Sequence, residues 1–190
     1  MAVPKTGSSA FDAALSPHAD AVIRHPPAMK HVTARRYRNV LAKFFEQRGT
    51  RPMQTMAIIR EPRDWLGSWY RYRARPAISG TSASTQGISF DAFVEAWLHS
   101  PEPEFARVGR QSRFVSDDDG HCLVDHLFPY ERMDHAVSFL EDRLGLSITL
   151  PRCNTSPRAP LELSRMMEDR LHHEAAADFD LWRAVTERCG

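Results

Sequence analysis

The sequence predicts an α/β fold with a central parallel sheet flanked by helices. Short apolar, β-prone runs alternate with stretches of helical spacing, and the order strand, turn, helix occurs twice. The 190 residues are 42% hydrophobic and 26% charged, a length and composition that suit one globular domain with a real core. A single domain over 1–190 is therefore expected, with no internal repeat.

Met1-Ala2-Val3 is an apolar stub before the glycine-bearing turn Pro4-Lys5-Thr6-Gly7-Ser8-Ser9, and Phe11, Ala14 and Leu15 then recur at helical spacing. The chain thus opens as strand, loop and helix, with most of the strand missing. Ala21-Val22-Ile23-Arg24, followed by Pro26 and Pro27, suits a brief buried strand. Thr33 can cap a helix whose Tyr37, Val40, Leu41, Phe44 and Phe45 share one face and which ends at Gly49. Met53 to Ile59 gives a further strand, and Arg60-Glu61-Pro62 turns it into a helix with proline near its first turn. Residues 74–87 are rich in Ser, Thr, Gly, Ala and Pro without an apolar face, and read as a mobile surface loop and candidate substrate lid.

Phe90, Phe93, Val94 and Trp97 mark the next helix, broken by the tract from Ser100 to Glu104. Arg113-Phe114-Val115 and the run from His121 to Phe128 flank Asp117-Asp118-Asp119-Gly120, which predicts a two-stranded hairpin. Met133, Ala136, Val137, Leu140 and Leu144 define a helix that stops at Gly145. Leu163 to Thr186 is helical in pattern, with a break expected near Asp178 to Asp180. The hairpin and these C-terminal helices are appended to the sheet.

Lys and Arg total 25 against 24 for Asp and Glu, so a net charge of +1 gives no general drive toward nucleic acid or membrane surfaces. Phosphate binding, if present, has to be local. Cys122, Cys153 and Cys189 are widely spaced and form no CxxC pair, which argues against a disulfide framework and a zinc site. With no leader pattern and no run approaching the roughly 20 apolar residues of a membrane span, a cytoplasmic protein with reduced thiols and no transmembrane segment is expected.

Two segments carry chemistry. Pro4-Lys5-Thr6-Gly7-Ser8-Ser9 departs from the Walker pattern, because its lysine precedes the glycine and no GKS or GKT follows. It still offers the parts of an anion site: Gly7, two hydroxyls, N–H groups at a helix N-terminus, and Lys5 as a point charge. The alternative is an ordinary helix cap behind a surface lysine. The second segment, Ile58 to Arg73, sets Arg60 where a strand ends and Ser68 on the helix that follows. Both strand-to-helix loops belong at one sheet edge, where ligands of open α/β sheets bind. Trp65, Trp69 and Tyr72 in the same segment fall at helical spacing and read as core.

These two segments, PKTGSS and REPRDWLGSWYRYR, resemble the 5′-phosphosulfate and 3′-phosphate motifs of sulfotransferases, closest to bacterial relatives of the carbohydrate type. Further matches are Lys30-His31-Val32-Thr33-Ala34-Arg35, the stretch from Gln111 to Asp125, Pro129-Tyr130-Glu131, Asn154-Thr155-Ser156-Pro157-Arg158 and Asp178-Phe179-Asp180, so the likeness spans nearly the whole chain. The resemblance implies a P-loop-like three-layer domain that transfers a sulfuryl group from 3′-phosphoadenosine 5′-phosphosulfate to a hydroxyl acceptor, a saccharide in the carbohydrate branch. It implies Lys5 on the bridging oxygen that leaves, Thr6, Gly7, Ser8 and Ser9 on the 5′-phosphate, and Arg60 and Ser68 on the 3′-phosphate, with no metal required. Ser156 and Arg158 are candidates for the same phosphate, or part of a simple connector.

A base must take the acceptor's proton, and a histidine titrating near neutrality is the usual group. His31, between the two motifs as in relatives with a catalytic histidine, is the candidate; its neighbours Thr33-Ala34-Arg35 also suit a plain helix start. His172 and His173 read as solvated, and His121, His126 and His135 have no site spacing. The consecutive acids 117–119 suit a turn better than a calcium loop, which alternates its acids.

The pattern departs from the family in two places. Only Ala2 and Val3 stand for the first strand, so a misassigned start or a truncated chain is expected, with the loop held less firmly. The glycine- and lysine-containing C-terminal phosphate motif of the small-molecule branch is missing. Two other readings follow: a non-catalytic nucleotide-binding relative, and a small P-loop kinase, which the missing GKS opposes.

Overall fold

Residues 1–46, 53–151 and 161–189 are described by a computed structural model. Gly49, Cys153 and the Asn154 to Arg158 stretch lie outside them. The fold is mixed α/β, dominated by helices, with a parallel two-stranded sheet of β1 (Met56–Ile59) and β2 (His126–Pro129). Met56 pairs with His126 and Ile59 with Pro129. The register is pinned just ahead of both strands by Asp125, whose Oδ2 accepts from the Thr55 N–H at 2.7 Å and from its hydroxyl at 2.8 Å. Because the strands are parallel, both C-terminal ends, Arg60 and Tyr130, emerge at one edge.

The helices are α1 (Ser8–Leu15), α2 (Pro27–Lys30), α3 (Ala34–Arg36), α4 (Ala42–Phe45), α5 (Pro62–Arg73), α6 (Phe90–Leu98), α7 (Gln111–Val115), α8 (Met133–Leu144), α9 (Arg165–Glu174) and α10 (Ala176–Arg188). A π-helical stretch, Tyr37–Leu41, joins α3 to α4. One core packs Trp65 and Leu66 of α5 against Phe90, Phe93, Val94 and Trp97 of α6, Met167 and Leu171 of α9, and Phe179 of α10. A smaller core gathers Val3, Ala34, Ala57, Ile59, Phe114, Val115, Val124 and Val185 around the sheet. At roughly 1.5–3 kcal/mol per fully buried large apolar side chain, the first core is the main hold on α5.

Several expectations are met. Glu61 caps α5 by accepting from the Arg63 and Asp64 N–H groups, and Pro62 opens it. Phe90, Phe93, Val94 and Trp97 are all buried, and Gly145 ends α8 in the left-handed conformation. The 74–87 loop includes a 3₁₀ turn at Pro76–Ile78 and is tied back to α5 through the buried Thr85, whose hydroxyl donates to the Tyr70 carbonyl at 2.8 Å.

Others are corrected. Ala21 to Arg24 forms no strand, and Val22 and Ile23 are exposed: four residues without a paired neighbour have nothing to satisfy their backbone. Thr33 does cap a helix, accepting from the Arg36 N–H, but the expected apolar face is only partly covered: Tyr37, Leu41 and Phe45 are half-buried and Val40 and Phe44 exposed, Phe44 by 69%, while Ala34 and Ala42 are buried. The hairpin is replaced. Arg113 to Val115 belong to α7, Ser116 and Cys122 make an isolated antiparallel bridge around the acidic turn, and His126 to Phe128 pair with β1 instead. Burial explains the exchange: a partner already covered on its other face offers His126 to Pro129 more apolar contact than a two-residue ribbon could. The C-terminal break falls at Ala175, three positions ahead of Asp178, which sits buried in the first turn of α10.

Residues 1–3 form no regular strand. They nevertheless lie beside the sheet, since the Met1 amine donates to the Met56 carbonyl and Val3 is only 1% exposed.

Candidate functional site

Lys5 is the one non-glycine residue with positive φ among the described residues, at +67°, and Gly7 follows at +80°. A left-handed lysine costs roughly 1–2 kcal/mol, a strain that recurs at ligand sites. Gly7 is required by space as well as by torsion, because a Cβ there would stand 2.9 Å from Met133 Cε. The loop is held from several sides. The Thr6 hydroxyl donates to the Val3 carbonyl at 2.9 Å, Trp65 Nε1 to the Pro4 carbonyl at 2.8 Å, and Arg60 to the Lys5 carbonyl at 3.3 Å. Thr6 is therefore a buried tie whose hydroxyl is already used. Gly7 caps α1 without a side chain, which leaves the first-turn N–H groups of Ser8 and Ser9 free to meet an anion.

Arg60 leaves the end of β1 with its backbone clamped by Gln111, whose amide accepts from the Arg60 N–H at 2.9 Å and donates to its carbonyl at 2.7 Å. Its guanidinium lies 4.4 Å over the Tyr130 ring and donates to Asp64 at 2.6 Å. Ser68 and Arg71 occur one and two turns after Asp64 on α5, with Arg75 just beyond its end, so residues 64, 68, 71 and 75 share a face. Ser68 is buried, and its hydroxyl makes no hydrogen bond among the described residues.

The Lys5 amine lies 4.2 Å from the centroid of Tyr72 and 5.7 Å from that of Trp69, and Arg75 stands 4.9 Å over the same Tyr72 ring. Burial, then the charges of Arg75, Arg60 and Arg71, lower the Lys5 pKa to about 8. Among the described residues, Asp64 is the single carboxylate paired with any of these four cations, through Arg60 and, at 3.8 Å, Arg71. An uncompensated positive cluster with two aromatic walls is a receptor for a polyanion carrying a flat or apolar part. The sequence reading of these aromatics as core is met by Trp65 and, at the core's margin, by the half-buried Trp69, which packs on that core and also faces the lysine; Tyr72 is the correction, half-buried against the lysine and outside the core.

His31 Nδ1 lies 2.7 Å from the Ala2 carbonyl. A carbonyl only accepts, so Nδ1 carries the hydrogen and Nε2 of the neutral ring is left with its lone pair, the tautomer a general base needs. The contact also ties His31 to the segment that leads into Lys5. His172 and His173 are exposed, as expected.

Two concavities adjoin this region without containing Lys5 or Arg60. One of about 190 Å³ is lined by Val3, Pro4, Thr33, Trp65, Arg110 and Arg113. Another of about 640 Å³ lies between α7 and α10, where Arg110, Arg113, Asp178 and Asp180 contribute. The cationic site is defined by charge and donors rather than by depth. Around the acidic turn, Asp117 accepts from the Asp119 and His121 N–H groups at 3.1 and 2.8 Å, so its carboxylate closes the turn.

No protein-family model, curated protein or solved structure matches the chain. Among the described residues no helix is long and apolar enough to cross a membrane. Of the residues that the sequence singles out, Lys5, Thr6, Gly7, Ser8 and Ser9 form one loop and helix start, which Arg60 meets through the Lys5 carbonyl, while Ser68 lies on α5 and His31 on the Ala2 carbonyl; Arg71, Arg75, Gln111 and the ring of Tyr130 join this region without having been named as site residues. For the α5 residues the signal was present as the i, i+4, i+7 series from Asp64 and from Trp65, but Gln111 is brought by α7 and Tyr130 by the pairing of β2.

Proposed function

We propose that this chain transfers a sulfuryl group from 3′-phosphoadenosine 5′-phosphosulfate to a hydroxyl acceptor of carbohydrate type, in the cytoplasm. The observation that carries the reading is the gathering of Lys5, Arg60, Arg71 and Arg75 with Asp64, on Arg60 and Arg71, the one carboxylate paired with any of them among the described residues. Such a surplus suits a ligand with phosphate at two positions and a sulfate besides. The Ser8 and Ser9 N–H groups hold the 5′-phosphate, Arg60 and Ser68 the 3′-phosphate, and Lys5 the bridging oxygen.

Transfer is an in-line displacement. The acceptor oxygen forms a bond to sulfur as the bond from sulfur to the bridging oxygen breaks, and negative charge builds on that departing oxygen beside the Lys5 amine. The acceptor's proton passes to His31 Nε2, while Nδ1–H stays on the Ala2 carbonyl. We also infer that β1, β2 and residues 1–3 form the centre of a P-loop-like three-layer domain, supported by the Met1 amine meeting β1 and by the shared edge of Arg60 and Tyr130.

Calorimetric titration with adenosine 3′,5′-bisphosphate tests the reading: binding is expected for the chain and is weakened in Lys5→Ala and Arg60→Ala. A folded chain that does not bind this nucleotide sinks it. Binding without transfer to any glycan acceptor would leave the non-catalytic relative, and transfer from ATP with magnesium the small kinase.

A further inference from the structure

Lys5 combines three features that a purely electrostatic phosphate ligand does not need. Its amine makes no ion pair among the described residues and is packed against the rings of Tyr72 and Trp69. Burial, and then the charges of Arg75, Arg60 and Arg71, bring its pKa down to about 8. At pH 7 roughly one molecule in ten then carries a neutral, nucleophilic amine there, against fewer than one in a thousand for an ordinary lysine. Arg75 has no acidic partner among the described residues, and its guanidinium shares the Tyr72 ring with the lysine, so a phosphate drawn to Arg75 arrives beside the amine.

We propose that Lys5 is an acylation site that reacts selectively with acyl phosphates, the phosphate held by Arg75, Arg71 and Arg60 and the acyl carbon presented to the Lys5 amine. The guanidiniums, rather than the amine, take up the phosphate charge, and they stabilise it as it leaves. The neutral amine attacks the acyl carbon, a C–N bond forms, the C–O bond to phosphate breaks, inorganic phosphate departs and the amine's surplus proton goes to water. The product is an uncharged amide in the middle of the cationic site, which removes one of its four cations and fills space between the two aromatic rings. Acylation is thus an off switch for anion binding. The proposal uses the same cationic pocket as the nucleotide reading, but the amine chemistry does not depend on that reading.

The experiment treats the full chain with acetyl phosphate, and separately with an uncharged acetylating ester, and follows Lys5, Lys30 and Lys43 by peptide mass spectrometry. These are all the lysines of the chain. Acetyl phosphate is expected to modify Lys5 at least about tenfold faster than Lys30 or Lys43, in line with the larger neutral fraction and the local concentration of reagent. Arg75→Gln should remove most of that preference while leaving the rates at Lys30 and Lys43 unchanged; as Arg75 makes no ion pair among the described residues, the variant is expected to fold, and circular dichroism checks it. Equal rates at the three lysines, or a Lys5 preference that is the same in Arg75→Gln or with the uncharged ester, overturns the proposal. Adenosine 3′,5′-bisphosphate as competitor separates the two readings. Selective acetylation that the nucleotide does not slow keeps the acylation site and counts against the nucleotide; nucleotide binding without selective acetylation does the reverse.

Discussion

Arg60 and Arg110 are built alike. Each guanidinium is largely covered, 14% and 18% exposed, each lies on an aromatic ring (Tyr130 at 4.4 Å, Trp97 at 4.0 Å), and each has one aspartate, Asp64 or Asp178. The surroundings differ. Asp64 is half exposed and also meets Arg71 at 3.8 Å, whereas Asp178 is sealed in α10, where its Oδ1 accepts from the Ser112 N–H at 2.9 Å and its Oδ2 meets Arg110 only at 3.8 Å, too far for a hydrogen bond. A buried arginine with its own buried aspartate is a neutral tie between α7 and α10. Arg60 instead shares a hydrated aspartate with Arg71, beside Lys5 and Arg75, which have no carboxylate partner among the described residues. Residue type alone does not separate a structural pair from a binding site; the exposure of the carboxylate and the count of cations do.

The largest expected effect lies at the structural pair. Asp178→Ala should lower unfolding stability by about 3–5 kcal/mol in denaturant titration, because it leaves Arg110 buried without a counter-charge. Asp178→Asn, which keeps an acceptor for Ser112, should cost less and should also change the pH profile. Burial holds the Asp178 carboxyl above the ordinary aspartate value, against the Ser112 N–H and Arg110. The folded chain therefore binds this proton more readily than the unfolded chain, so the group's contribution is greatest at low pH and declines as pH rises through the raised value. The asparagine variant should lose that slope.

At the binding site the order reverses, with small effects on stability and large ones on ligand. Arg60→Ala should weaken adenosine 3′,5′-bisphosphate by about 10- to 100-fold, the worth of a charged hydrogen bond at about 1.5–3 kcal/mol, while its unfolding midpoint moves far less than that of Asp178→Ala because Asp64 stays hydrated. If Arg60→Ala proves as destabilising as Asp178→Ala, the distinction between the two clusters fails. Nucleotide affinity should next fall as pH rises through about 8, by up to about tenfold per pH unit, as the Lys5 amine loses its proton; isothermal titration at pH 7, 8 and 9 measures it, and Lys5→Ala should show no such step. The smallest change is expected for the stability of Arg75→Gln, within about 0.5 kcal/mol of the parent by thermal melting, since no ion pair is broken.

Much of the site could be read along the chain because its parts are local. Lys5, Gly7 and Ser8 lie within one turn of each other, and Arg60 to Arg75 make one strand end and one helix. Gln111 and Tyr130 were not legible as site residues: they lie 51 positions or more from Arg60 and are brought there by α7 and by the pairing of β2. The two amphipathic stretches make the same point about burial. The spacing in α5 and the spacing in 34–45 are equally helical, yet α5 is covered by α6, α9 and α10 while Phe44 remains exposed. A periodic face states that a helix can be covered, not what covers it.

The sequence by itself determined the Thr33 cap, the helix over Phe90–Leu98, the Gly145 stop of α8, the strand before Arg60 and the loop-to-helix turn at Gly7, because each depends on torsions and hydrogen bonds made within a few residues. Tertiary structure decided the rest: that His126 to Pro129 pair with β1 rather than with Arg113 to Val115, that Trp69 and Tyr72 also face the lysine, that His31 is held as the Nδ1–H tautomer by Ala2, and that Lys5, Arg60, Arg71 and Arg75 gather around one aspartate paired with two of them. Those outcomes depend on which distant surfaces bury each other and on the charge that accumulates where they meet, and neither quantity is a property of any short stretch of chain.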